Sequence, residues 1–215
     1  MTEKRTEPAS DTATRWWRDG ERVVGGLVER LTDDELAGGS ALPGWSRAHV
    51  VAHLARNADA LVNLLEWART GVDTPMYPSR AVRDADIEAT AARPAAELRA
   101  DYVDACGRLA RAIETTPVEA WRAEVRNGQG VTVPASLVPW MRGKEVWVHG
   151  TDLDAGLSFA DLPAEFCAAL VDDVLGLFAA RDQQLDVTVV ATDVDRTWGA
   201  APCGSTARCA PSPPG

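Results

Sequence analysis

Apolar residues recur at helical intervals in four long stretches of the chain, separated by polar or proline-bearing connections. The first covers residues 12–31 and puts Trp16, Trp17, Val23, Val24, Leu27, Val28 and Leu31 on one face. The second follows Leu42-Pro43-Gly44-Trp45-Ser46, where Ser46 suits an N-cap, and runs to about Arg69 with Val50, Val51, Leu54, Ala58, Leu61, Val62 and Leu65 as its stripe. Pro94 suits the first turn of a third, striped by Leu98, Tyr102, Ala105, Cys106, Leu109 and Ile113. The fourth carries Leu137, Val138, Met141 and Val148. Four helices with one apolar face each can satisfy one another as a bundle. Residues 71–93, with Pro75, Pro78 and a charged run, and 117–134, with the turn signal Asn127-Gly128-Gln129-Gly130, read as connections.

Beyond Asp154 the pattern changes. Residues 163–181 predict a helix striped by Phe166, Leu170, Val171, Val174, Leu175 and Phe178, and residues 185–192, with three valines, predict a strand. A lone strand leaves its backbone groups unpaired, and no partner is expected downstream. Residues 199–215 are rich in Gly, Ala, Pro and Ser and read as disordered. The expected fold is mainly α: a flexible N-terminus (1–11), a four-helix bundle (12–154), a small, truncated α/β C-terminal domain (155–198) and a disordered tail (199–215).

Composition narrows the function. With 46% hydrophobic and 25% charged residues the chain is an ordinary globular one, and a formal net charge of −10 argues against nucleic acid as a partner. The N-terminus is polar and no stretch approaches the roughly twenty apolar residues of a membrane span, so a cytoplasmic protein without a membrane partner is expected. Of four cysteines, Cys106 and Cys167 fall on core stripes and Cys203 and Cys209 in the tail, with no CxxC pair. Any thiol chemistry therefore needs a thiol from outside. The tryptophans, notably Trp45, Trp140 and Trp147, read as bundle packing.

The candidate chemistry lies in Glu145-Val-Trp-Val-His149 and in His53. Glu145 and His149, four apart, project from one helical face, which also carries Leu137, Val138, Met141 and Val148. A carboxylate aimed at a core needs a compensating proton, cation or metal. His53, at the edge of its own stripe beside Asn57 and Leu64, can reach the same interior. A simple Glu–His hydrogen bond and a His49/His53 ligand pair are the alternatives.

Pro43-Gly44-Trp45-Ser46, then His53-Leu54-Ala55, then Arg142-x-x-Glu145-x-x-x-His149-x-x-Asp152-Leu153 resemble the DinB-like metalloproteins, and specifically the mycothiol-dependent maleylpyruvate isomerases of actinobacteria. Met76-Tyr77-Pro78-Ser79-Arg80 and Asp84-Ala85-Asp86-Ile87-Glu88 are similar to the same subgroup, and the resemblance covers about residues 12–195. It implies a divalent metal, usually zinc, held by His53, Glu145 and His149 with an open position that suits catalysis. It also implies mycothiol as the external thiol and a small anionic substrate, maleylpyruvate, isomerised to fumarylpyruvate. Asn57, one turn from His53, and Asp152, three residues past His149, are candidates to orient the ligand imidazoles, although capping explains Asp152 equally. Arg80, Arg83 and Arg142 are the candidate cations for the substrate, each weighed against a solvated surface role. Family members supply a further arginine from the late domain that matches no residue here, so activity is expected to be impaired; full turnover with an ordered tail would instead make Arg196 or Arg208 the substitute. The same ligands would also serve a related thiol S-transferase or a non-catalytic metal-binding bundle.

Overall fold

The computed structural model describes residues 10–183 and 187–199. Helix α1 (Asp11–Arg30) starts where Ser10 Oγ accepts from the Ala13 amide. The short α2 (Asp33–Ala37) is set by a capping box between Thr32 and Glu35. Ser46 caps α3 (Arg47–Thr70), and Gly71, at φ +73°, ends it in the left-handed conformation that glycine favours. After α4 (Arg80–Ala91) comes α5 (Ala95–Thr115), directly behind Pro94, then α6 (Val138–Asp152) with a proline in its first turn.

The four long helices close on one another: α1 packs on α5 and α6, and α3 packs on the same two from the other side. Val24, Val50, Val51, Leu54, Leu61, Leu64, Leu109, Val138 and Val146 are among the fully buried residues at the centre. Helix α3 contributes Ala48, Ala52, Ala55 and Ala58 to that core, small side chains that let its neighbours approach closely.

Two connections hold more structure than the sequence pattern predicts. Residues 71–93 include α4, capped by Ser79 and docked on α3, with Ile87 and Thr90 as its buried residues. Two buried positions in twelve residues leave too faint a period to read. Residues 117–134 include a hairpin, β1 (Glu124–Arg126) and β2 (Thr132–Pro134), with Val125 opposite Val133. Its turn is the Asn127–Gly130 segment, where Asn127 Oδ1 accepts from the Gln129 and Val131 amides.

The chain divides into two compact units between Asp161 and Leu162. The second holds α7 (Ala164–Ala179) and a hairpin of β3 (Val189–Ala191) and β4 (Arg196–Trp198). The lone strand is thus corrected: its partner follows after a four-residue turn in which Asp195 takes φ +47°. Arg196-Thr197-Trp198 pairs readily because both long side chains are held, Arg196 by two hydrogen bonds of 2.9 Å and Trp198 by one of 2.6 Å, all to Asp172 of α7. Of the segments expected to be a flexible N-terminus (1–11) and a disordered tail (199–215), residues 1–9 and 200–215, Arg208 included, lie outside the described residues, while Ser10 and Asp11 belong to the start of α1. No described helix is long and apolar enough to cross a membrane.

Candidate metal centre and its cleft

The helical wheel predicts an inward face of α6 built on Leu137, Val138, Met141 and Val148 together with Glu145 and His149, and of those four apolar residues the structure fully buries Val138. The structure rotates that face. The buried positions are Val138, Pro139, Arg142, Gly143, Val146, Trp147 and Gly150, while Leu137 is 38% exposed. A wheel drawn on hydrophobicity cannot count Arg142 as core, and this omission turns the expected stripe. Glu145 and His149 therefore stand at the edge of the core, with side chains 32% and 23% exposed. His53, on α3, is buried and meets them there.

His53 Nε2 lies 2.9 Å from Glu145 Oε2, and His149 Nε2 lies 3.5 Å from the same oxygen. The two imidazole rings stand edge to face at 4.6 Å, and one ligand atom from each of the three residues falls within 4.8 Å of the others. Zinc–ligand bonds of about 2.0–2.2 Å at tetrahedral angles place neighbouring donors about 3.3 Å apart, a value the two observed separations bracket. Two imidazole nitrogens and a carboxylate oxygen are also a donor set that zinc accepts, so the residues fit the ion.

Both imidazoles are held through their second nitrogen. His149 Nδ1 donates to Asp152 Oδ2 at 2.8 Å, a carboxylate–histidine pair that leaves Nε2 facing the cluster. Arg83, from α4, reaches His53 Nδ1 at 3.3 Å. A guanidinium only donates, so Nδ1 accepts and Nε2 is the N–H that Glu145 receives. Burial pushes the His53 pKa down despite Glu145. Burial acts the same way on His149, but the hydrogen bonds and charges of Glu145 and Asp152 outweigh it and raise the pKa. Burial alone would raise Glu145; the two histidines overcome it and hold the carboxyl well below the usual range.

The other candidates separate clearly. His49 is spent on α3's capping box and on Glu88, 3.1 Å from its Nε2, and takes no part in the cluster. Asn57 is corrected as an orienter of His53, because its Oδ1 accepts from Arg142 at 2.9 Å. Arg142 is corrected twice, being neither solvated nor at the cleft: it is wholly buried and donates to Glu21, Leu54 O, Asn57 and Cys106. Arg80 and Arg83 do line the cleft, a space of about 790 Å³ with His53 and Glu145 in its wall. Arg126 and Lys144 line it too, and the sequence reading missed both. The signal was adjacency, Lys144 to Glu145 and Arg126 to the Asn127-Gly128 turn. Arg126 is held by Asp73 at 2.7 Å and lies over the Trp67 ring; Arg83 lies over Tyr77. Trp45 stands 5.8 Å from the His53 ring, so it packs against the site as well as the bundle. Arg196 is committed to Asp172 within its own unit.

A family model for the mycothiol maleylpyruvate isomerase N-terminal domain matches residues 9–154. The chain belongs to that family. Among solved structures, the crystal structure of a mycothiol-dependent maleylpyruvate isomerase is similar at 33% identity and a TM-score of 0.85, covering 94% of this chain and 84% of the other. A histidine-to-alanine mutant of that isomerase matches at 32% identity and a TM-score of 0.84, over the same shares of both chains. No curated protein matches the chain. Within this mycothiol maleylpyruvate isomerase family member, burial pushes the Cys106 thiol up to about 12 and raises that of Cys167 too. Both are protonated at neutral pH, and a nucleophilic thiolate is not available from either.

Proposed function

We propose that this protein is a metal- and mycothiol-dependent cis-trans isomerase that converts maleylpyruvate to fumarylpyruvate. The observation that carries the reading is the convergence of His53 Nε2 and His149 Nε2 on one oxygen of Glu145 in the wall of a cationic cleft. His53, Glu145 and His149 would hold the divalent ion, zinc in this reading, which supplies a cation that favours the thiolate form of an incoming thiol. Asp152 fixes the His149 ring, so that its Nε2 lone pair points at the cluster.

The cleft residues do the rest. Arg83 and Arg80 at one wall, with Lys144 and Arg126, present positive charge to a dianionic substrate and to the enolate that develops when a thiolate adds to its double bond. Once that bond is single it rotates, and loss of the same thiolate restores the double bond as trans, so the thiol is regenerated. Protonated Cys106 and Cys167 leave the nucleophile's part to the added thiol.

Metal analysis and turnover assays on the whole purified protein test the reading. Near-stoichiometric zinc should be present, lost in His53→Ala and kept in His49→Ala, and maleylpyruvate should turn over only with both zinc and mycothiol. Isomerisation without any thiol, or zinc retained in His53→Ala and lost in His49→Ala, overturns it. Mycothiol-dependent turnover of another electrophile with none of maleylpyruvate would make the protein an S-transferase instead.

A further inference from the structure

Arg142 has a fully buried guanidinium whose hydrogen bonds each reach another helix. Its Nε donates to Glu21 Oε1 on α1 at 2.7 Å. Its Nη1 donates to the Leu54 carbonyl at 2.7 Å and to Asn57 Oδ1 at 2.9 Å, both on α3. Its Nη2 reaches Cys106 Sγ on α5 at 3.4 Å. One side chain on α6 therefore touches all three other long helices. Stability alone does not account for it, because apolar replacements of buried ion pairs are often neutral or stabilising, whereas fixing register is the best-attested use of such groups.

Its place relative to the ligands is specific. Leu54 directly follows His53, Asn57 is one turn on, and Glu145 is three residues after Arg142. At the other end of the same antiparallel pair, Arg47 of α3 donates to the Leu153 and Asp154 carbonyls just past α6, at 2.7 and 2.8 Å. The His53–Glu145 contact thus lies between two polar grips. Between them α3 offers the buried Ala48 and Ala52, whose shallow ridges resist sliding along the helix axis weakly.

We propose that Arg142 is a positioning residue: by gripping Leu54 and Asn57 it fixes the axial setting of α6 on α3, and with it the spacing at which Glu145 and His149 meet His53. A metal site tolerates ligand displacement of only about 0.5 Å, so this setting governs affinity. The proposal rests on the zinc reading above.

The test is the zinc dissociation constant, measured by competition with a chromophoric chelator, beside the melting temperature of the metal-free protein. Two variants are compared with wild type: Arg142→Lys, which keeps a charge for Glu21 but loses the fork, and the Glu21→Leu, Arg142→Met double variant, which removes both charges. The double variant should melt within a few degrees of wild type yet bind zinc about tenfold or more weakly, with an altered visible spectrum when cobalt replaces zinc. Arg142→Lys should weaken zinc binding as well, and it decides the matter if the double variant does not fold. A folded variant that binds zinc within about twofold of wild type, with an unchanged cobalt spectrum, overturns the positioning role and leaves the zinc reading standing. Failure of wild type itself to bind zinc overturns both.

Discussion

Two glycines on α6 should respond to alanine with opposite signs. A Cβ at Gly143 would have the Trp17 backbone nitrogen as its nearest neighbour, at 3.6 Å, which is ordinary contact. A Cβ at Gly150 would meet Val24 Cγ2 at 2.6 Å and Leu157 Cδ2 at 3.1 Å. Val24 is fully buried and β-branched, so it cannot swing aside. Replacing a helix-interior glycine by alanine is worth about 1 kcal/mol, and overpacking a core costs about 1–3 kcal/mol. Gly143→Ala should therefore stabilise by about 0.5–1 kcal/mol, while Gly150→Ala, near the helix end where the propensity gain is smaller, should destabilise by about 1–2 kcal/mol. At about 2–4 °C per kcal/mol for a chain of this size, the two metal-free variants should melt on either side of wild type. Urea unfolding gives the same free energies independently. The contact at Gly150 is also about 0.8 Å short of the 3.4 Å at which ordinary contact begins, and His149 is the preceding residue, so Gly150→Ala should weaken zinc binding where Gly143→Ala does not. A Gly150→Ala protein as stable as wild type, or a Gly143→Ala protein destabilised by more than about 1 kcal/mol, would refute the packing argument.

Arg83→Met should raise the KM for maleylpyruvate about tenfold or more with zinc affinity unchanged or improved, since a zinc-ligating His53 Nε2 requires Nδ1 to carry the proton that Arg83 now opposes; unchanged KM in steady-state assays would remove Arg83 from substrate binding. Asp152→Asn should weaken zinc binding about 10–100-fold in the chelator competition. In its metal-free form the stability lost should also depend on pH. The His149 pKa is raised partly by Asp152, so that contribution is fully present below the unfolded value of about 6.5 and vanishes as pH rises through the higher folded value. Denaturation at acid and alkaline pH should show the larger wild-type advantage on the acid side, and an equal difference at both would contradict the pairing.

The bundle was legible because its four long helices carry apolar residues at helical spacing and two of them start at local signals, Ser46 as the cap of α3 and Pro94 before α5. Each acts within a few residues of itself. The elements that escaped notice, α2, α4, the β1–β2 hairpin and strand β4, are short, and their existence depends on what they touch. Ile87 and Thr90 make α4 worth folding only because α3 is there to cover them. The β4 strand was hidden for a related reason, since Arg196 and Trp198 are anchored by Asp172, more than twenty residues earlier in the chain.

The ligand trio and its support differ in the same way. Glu145 and His149 announce themselves through a four-residue spacing, and Asp152 through a three-residue one, because one helix delivers all three. Arg142 sits in that same motif, yet its partners lie 36 to 121 residues away, on three other helices. Proximity to the motif made it look like a cation for substrate, and hydrophobicity excluded it from the core face. Both inferences fail for one physical reason: a guanidinium whose donors are satisfied inside a bundle behaves as core, with the ability to hold register that an apolar residue lacks. Arg83, by contrast, lies in a segment that reads as a loop, and only the folding of α4 carries it to His53. What each arginine does here follows from its acceptors, which no spacing in the sequence records.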